Sequence, residues 1–120
     1  MYDFCPDAGL HVLKSAVQRA ARAGVFALTI GGDHSVAAAS IAGIAAAHPD
    51  LAVVWVDAHA DANTPATSPS GHYHGMPAAH LMGWFGSTMP GFEWMPEGGC
   101  VNAANLAYIG LRDVDQAEAQ

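Results

Sequence analysis

Leu51-Ala52-Val53-Val54-Trp55-Val56 is a continuous apolar run bounded by Pro49-Asp50 on one side and Asp57 on the other. A run this short and uninterrupted reads as a strand buried on both faces, as in a parallel sheet. A second run, Val25-Phe26-Ala27-Leu28-Thr29-Ile30, has the same character. Between and around them the pattern turns helical. Leu10, Leu13, Val17 and Ala20 recur at helical spacing, Lys14, Gln18 and Arg22 mark the polar face, and Gly24 supplies a stop. The pattern predicts a helix ahead of residue 24, a strand over 25–30, a helix over 35–47, a strand over 51–57, a helix near 76–86 and a strand over 106–111. Strands alternating with helices imply an α/β fold, three-layer αβα with a parallel sheet. Residues 86–105 have no period and read as a loop in which Phe92 and Trp94 are buried.

Both apolar runs end in residues that bind cations. Asp57-Ala58-His59-Ala60-Asp61 follows the run that ends at Val56. In extended chain, alternate side chains share a face, so Asp57, His59 and Asp61 can converge at the strand's carboxyl end. That end is where open α/β sheets place their sites. Two carboxylates and an imidazole suit a divalent ion harder than a thiolate site would choose. Gly31-Gly32-Asp33-His34-Ser35 follows the other run, with Ser35 placed to cap the next helix and His34 level with Asp57 if the strands are neighbours. A glycine pair before a helix could instead cradle a phosphate, but Asp33 would set a negative charge beside the anion.

The combination of Gly31-Gly32-Asp33-His34-Ser35 with Asp57-Ala58-His59-Ala60-Asp61 resembles the arginase family of ureohydrolases. Asp61-Ala62-Asn63-Thr64-Pro65, Ser70-Gly71-His72-Tyr73-His74-Gly75-Met76-Pro77 and Tyr108-Ile109-Gly110-Leu111-Arg112-Asp113-Val114-Asp115 extend it in the family's order. The resemblance implies Mn²⁺-dependent hydrolysis of the guanidinium group of L-arginine to L-ornithine and urea. It implies His34, Asp57, His59 and Asp61 as metal ligands. Asp57 would bridge two ions, His34 and Asp61 would sit on one, and His59 on the other. His74 would pass a proton to the departing amine, with Asp61 among the catalytic carboxylates. Asn63, Ser68 and Ser70 would hold the substrate's α-carboxylate, and Asp115 and Glu118 its α-amino group. Gln116-Ala117 stands where arginases usually carry Pro-Gly.

The same resemblance implies that residues 1–120 form a single truncated arginase-like domain. A paired-aspartate metal motif of the Ser-x-Asp-x-Asp type, which family members carry further along, has no counterpart. One Mn²⁺ is then easier to hold than two. Water or a neighbouring subunit would supply the missing ligands, and open sheet edges would favour a homo-oligomer. Other readings are a related ureohydrolase such as agmatinase or formimidoylglutamase, and a non-catalytic metal-binding remnant. A deacetylase-like zinc hydrolase is a further one, against which the Gly31–Ser35 loop speaks.

Composition narrows the partners. The net charge is −7 with only 4 Lys+Arg, which disfavours nucleic acid and anionic membrane. No run approaches the roughly 18 apolar residues of a membrane span. Residues 1–9 lack the basic start and long apolar core of a signal peptide. Cys5 and Cys100 have no metal-type spacing and read as free thiols of a reducing compartment, so a cytoplasmic location is expected. His72 reads as a bystander, and His11, His48 and His80 as structural or surface residues.

Overall fold

A computed structural model of the chain describes residues 9–119. In chain order the elements are α1 (Leu10–Arg22), α2 (Val36–Ala45), β1 (Val53–Val56), α3 (Pro77–Leu81) and β2 (Leu106–Ile109), with 3₁₀ turns at Tyr73–Gly75 and Ala103–Asn105. β1 and β2 pair in parallel, with Val53 opposite Leu106 and Trp55 opposite Tyr108. The fold is therefore α/β with a parallel sheet, as the alternation predicts.

The sheet is two-faced. Trp55 is buried, and Val53, Leu106 and Tyr108 pack with it against Ala38, Ala39 and Ala42 of α2 and Leu81 of α3. The alternate residues point the other way: Val54 is 62% exposed, Val56 72% and Ile109 56%. Among the described residues the sheet thus carries a helical layer on one face only. The all-alanine inner face of α2 lets that helix lie close to the sheet. α1 reaches α2 just as closely at Gly43, where a Cβ would come within 2.6 Å of the Lys14 carbonyl oxygen.

Four expectations need correction, the first being burial of β1 on both faces, since Val54 and Val56 leave one face open where no described helix covers it. Residues 25–30 form no strand. Apolar content is not enough, because a strand needs a partner's ladder, and among the described residues the ladder joins only β1 and β2. Phe26 and Ile30 are left 88% and 87% exposed. α3 is five residues rather than the eleven of the predicted 76–86, because the chain turns at Gly83, whose φ is +76°. The Ser35 hydroxyl does not cap α2; it and the Ser35 N–H both donate to the Asp33 carboxylate. Cys5 and most of the leader reading lie outside the described residues.

The segment after α3 folds back on it. The carbonyl of Leu81 accepts from the N–H groups of Cys100 and Val101 at 2.7 and 3.0 Å. Gly99 sits at φ +73°, and a Cβ there would meet the Leu81 carbonyl oxygen at 2.3 Å and the Gly83 nitrogen at 2.4 Å. Phe92 is fully buried in the core and Trp94 packs against it, half-buried.

Candidate functional site

Asp57 leaves β1 with its N–H still donating to the Ile109 carbonyl at 3.0 Å. Beyond it the chain bends, so the strict alternation of extended backbone ends at Val56. Asp61 is the consequence: it is the one described non-glycine residue in the left-handed region, at φ +49°. Such a conformation is costly for a residue with a Cβ and persists only where its surroundings hold it. Here the Asp61 carbonyl accepts from the N–H groups of Ala78 and Ala79, at 3.0 and 3.4 Å, in the first turn of α3. Its carboxylate turns back under the end of β1.

There it meets His34. The Nδ1 of His34 lies 2.5 Å from Oδ2 of Asp61 and 3.1 Å from Oδ2 of Asp57. The three residues offer one ligand atom each within 4.8 Å of one another. His34 arrives without a strand ahead of it. Its ring packs on Trp55, with centroids 4.7 Å apart, so β1 itself locates the imidazole. The hydrogen bond to Asp61, and the charges of Asp61, Asp57 and Asp33, raise the pKa of His34 above its ordinary value despite partial burial. Burial pushes Asp57 up, but the N–H groups of His59 and Ala58 and the charges of His34 and His59 outweigh it and leave the carboxyl below its usual range.

His59 stands to one side of this group. Its Nδ1 is 3.4 Å from Oδ1 of Asp57, and its Nε2 is 3.3 Å from Oδ2 of Asp113. Nothing in the sequence pattern marks Asp113 as a partner of His59; the fold brings the two together. Tyr108 donates its hydroxyl to the Ala60 carbonyl at 2.8 Å and so pins the bend between His59 and Asp61. Burial, with the charges of Asp61 and Glu118, pushes that phenol up to about 12.

Beside the group opens a cavity of about 280 Å³ lined by His59, Asp61, Asn63, Ser68, Pro69, Ser70, His74, Gly75, Asp113, Asp115 and Glu118. Four carboxylates and no Lys or Arg line it among the described residues. Asn63 is buried and donates to Asp115 at 2.7 Å while its own carbonyl accepts from Thr67 at 2.9 Å. The Asn63 hydrogen bond, aided by the N–H groups of Glu118 and Ala117, holds the Asp115 carboxyl below its usual range. Glu118 accepts from the Ala62 N–H at 3.0 Å and from the Asp115 N–H at 3.2 Å. Ser68 and Ser70 accept from the N–H groups of Gly71 and His72 and so shape the wall opposite. His74 is exposed at the rim, its ring 5.5 Å from that of His72. Every candidate residue therefore lies either in the His34–Asp57–Asp61 group or on this cavity.

The sequence model of the arginase family matches residues 3–120. The chain belongs to the arginase family. It is 51% identical over 110 residues to arginase-1 of Xenopus laevis, covering 89% of this chain and 34% of the frog protein. Against rat mitochondrial arginase-2 it is 49% identical over 109 residues, 88% of this chain and 30% of the rat protein. Its fold matches a cold-adapted arginase from the psychrophilic yeast Glaciozyma antarctica, with a TM-score of 0.83, 39% identity and coverage of 92% of this chain and 39% of that one. An Entamoeba histolytica arginase solved with L-ornithine matches at a TM-score of 0.77 and 32% identity, covering 95% of this chain and 39% of the other. The chain spans about a third of the length of the curated relatives it matches. The chain is thus a member of a hydrolase family on an α/β fold with a parallel sheet. No described helix is long and apolar enough to cross a membrane.

Proposed function

We propose that the chain is an arginase-type hydrolase that uses Mn²⁺ to cleave the guanidinium group of L-arginine, giving L-ornithine and urea. The observation that carries this reading is the adjacency of a His–Asp–Asp donor group to a cavity with carboxylates along its length and neutral hydrogen-bonding groups on its wall.

The donor group fits a hard divalent ion. The Nδ1 of His34 lies within 3.1 Å of carboxylate oxygens of both Asp57 and Asp61, so one nitrogen and two oxygens converge on one spot. Oxygen donors outnumber nitrogen, which favours Mn²⁺ over zinc-type sites. His34, Asp57 and Asp61 would hold the first ion, and we assign His59 with the other oxygen of Asp57 to a second. A bound divalent ion supplies Lewis acidity and lowers the pKa of water. The chain's own residues do the rest. Asp61 and Asp113 face the cationic guanidinium. Asp115 and Glu118, fixed by Asn63 and by the backbone of 62 and 115, face the α-ammonium. The second N–H of Asn63 and the hydroxyls of Ser68 and Ser70 face the α-carboxylate. His74, at the rim, carries a proton to the departing amine, a role open to an imidazole near neutral pH.

Those last polar groups favour arginine over agmatine, which has no carboxylate for them. L-ornithine, present in the Entamoeba structure, carries both α-groups. Calorimetric titration of the Mn²⁺-loaded chain with L-ornithine and with putrescine tests this assignment. Binding of ornithine at least tenfold tighter supports it; equal binding overturns it in favour of an agmatinase. A cytoplasmic site of action fits the free thiol of Cys100. Rat arginase-2 is named as mitochondrial, so cell fractionation decides between the two compartments.

A further inference from the structure

We infer that His80, through Tyr73, is a positioning residue that holds Asp61 and His74 in one frame. The inference rests on the roles proposed above for those two residues. His80 is 4% exposed and Tyr73 2%. The Tyr73 hydroxyl and the His80 Nδ1 are 2.8 Å apart. The His80 ring stacks on Phe85 with centroids 4.2 Å apart and planes 4° from parallel, and Phe92 meets it edge-on at 5.0 Å. Tyr73 packs on the same Phe92 at 4.5 Å. A neutral imidazole and a phenol are thus sealed among aromatic rings, each with the other as hydrogen-bond partner.

What this pair joins makes it more than core filling. Tyr73 opens the 3₁₀ turn whose next residue is His74. His80 lies in α3, whose first turn supplies the two N–H groups that hold the Asp61 carbonyl. Asp61 keeps a left-handed backbone only while that support stays in place. A helix of five residues has no stability of its own, since nucleation costs more than so few hydrogen bonds return. Its position depends on what it is tied to. The Tyr73–His80 hydrogen bond ties it to the His74 turn. The metal-ligand candidate and the proton-carrying candidate, thirteen residues apart, are therefore registered to one another through a bond that touches neither.

The test uses four variants of the full chain: Tyr73→Phe, His80→Phe, the double variant, and His80→Asn, whose amide stands close to where Nδ1 stands. Two quantities are read. One is hydrogen exchange of the Ala78 and Ala79 amides without metal. The other is the affinity for Mn²⁺ alone. Tyr73→Phe and His80→Phe are each expected to speed that exchange and weaken Mn²⁺ binding about five- to tenfold. The double variant should be no worse than either single one, and His80→Asn should stay within about twofold of the parent. A packing role gives the reverse, with His80→Phe harmless and His80→Asn damaging, and overturns the inference; so does additivity in the double variant. A Tyr73→Phe chain that fails to fold also overturns it, since the bond would then be a determinant of the whole fold. Absence of Mn²⁺ binding in the parent would defeat the proposed function and leave the exchange readout standing.

Discussion

Between pH 7 and pH 4.5 the metal-free chain is expected to lose about 2 kcal/mol of stability through His80 alone. Burial among Phe85, Phe92 and Tyr73 lowers the pKa of this histidine from 6.5 to about 4. Well above pH 6.5 the ring is neutral in both folded and unfolded chains and contributes no pH dependence. As the pH falls below 6.5 the unfolded chain takes up a proton that the folded chain refuses. Stability then drops with a slope approaching about 1.4 kcal/mol per pH unit, until the folded ring titrates near 4. The full loss is about 3 kcal/mol, most of it complete by pH 4.5. Other shifted groups act mainly at the edges of this window and beyond it. His34 has a raised pKa, so its contribution is complete below pH 6.5 and fades only as the pH climbs through its raised value. Asp33, Asp57 and Asp115 are lowered from 3.8, so they act at more acid pH. Urea denaturation followed by tryptophan fluorescence at half-unit steps measures the slope in the parent and in His80→Asn. The variant should be flatter by about 2 kcal/mol over the window, whatever its stability at pH 7. An unchanged slope would refute the assignment.

Other outcomes follow from particular contacts. Gly99→Ala should cost more than about 2 kcal/mol in the same assay, since it combines a left-handed backbone with a Cβ driven into the Leu81 carbonyl, whereas Gly98→Ala, with nothing within 4 Å, should cost well under half of that. Glu118→Ala should release residues 115–118 from Ala62 and speed exchange of the Ala62 amide several-fold; unchanged exchange would show that the tie is not the one holding this wall. The uncovered face of the sheet should drive self-association at micromolar concentration, read by light scattering. Val56→Lys should shift the chain toward monomer, and a parent that is already monomeric contradicts the proposed homo-oligomer.

How much could be seen in the sequence depended on whether the deciding forces were local. α1 follows from its own period, and β1 and β2 from short apolar runs ending in polar loops. The two loops that carry His34 and Asp57–Asp61 were legible for the same reason. What failed needed knowledge of a neighbour. Val25–Ile30 has the composition of a strand, but only a partner makes one. His59 stays beside Asp57, but the backbone bends after Val56 and turns its other ring nitrogen to Asp113 rather than into the group with Asp61. His80 read as one more structural or surface histidine. Its partner Tyr73 lies two helical turns earlier in the chain, and only the packed aromatic box shows why that spacing matters. The tie of Glu118 is hidden in the sequence because its partner, the Ala62 amide, is fifty-six residues away.

We propose above that the His34–Asp57–Asp61 group and the adjoining acidic cavity make a Mn²⁺-dependent arginine hydrolase. Urea release from L-arginine by purified chain, stripped of metal and then given Mn²⁺, tests it most directly. A metal-dependent rate is expected, which Asp57→Ala reduces by at least a hundredfold while leaving the fold intact. A folded chain that binds Mn²⁺ yet releases no urea would contradict it and leave a metal-binding protein without the family's chemistry.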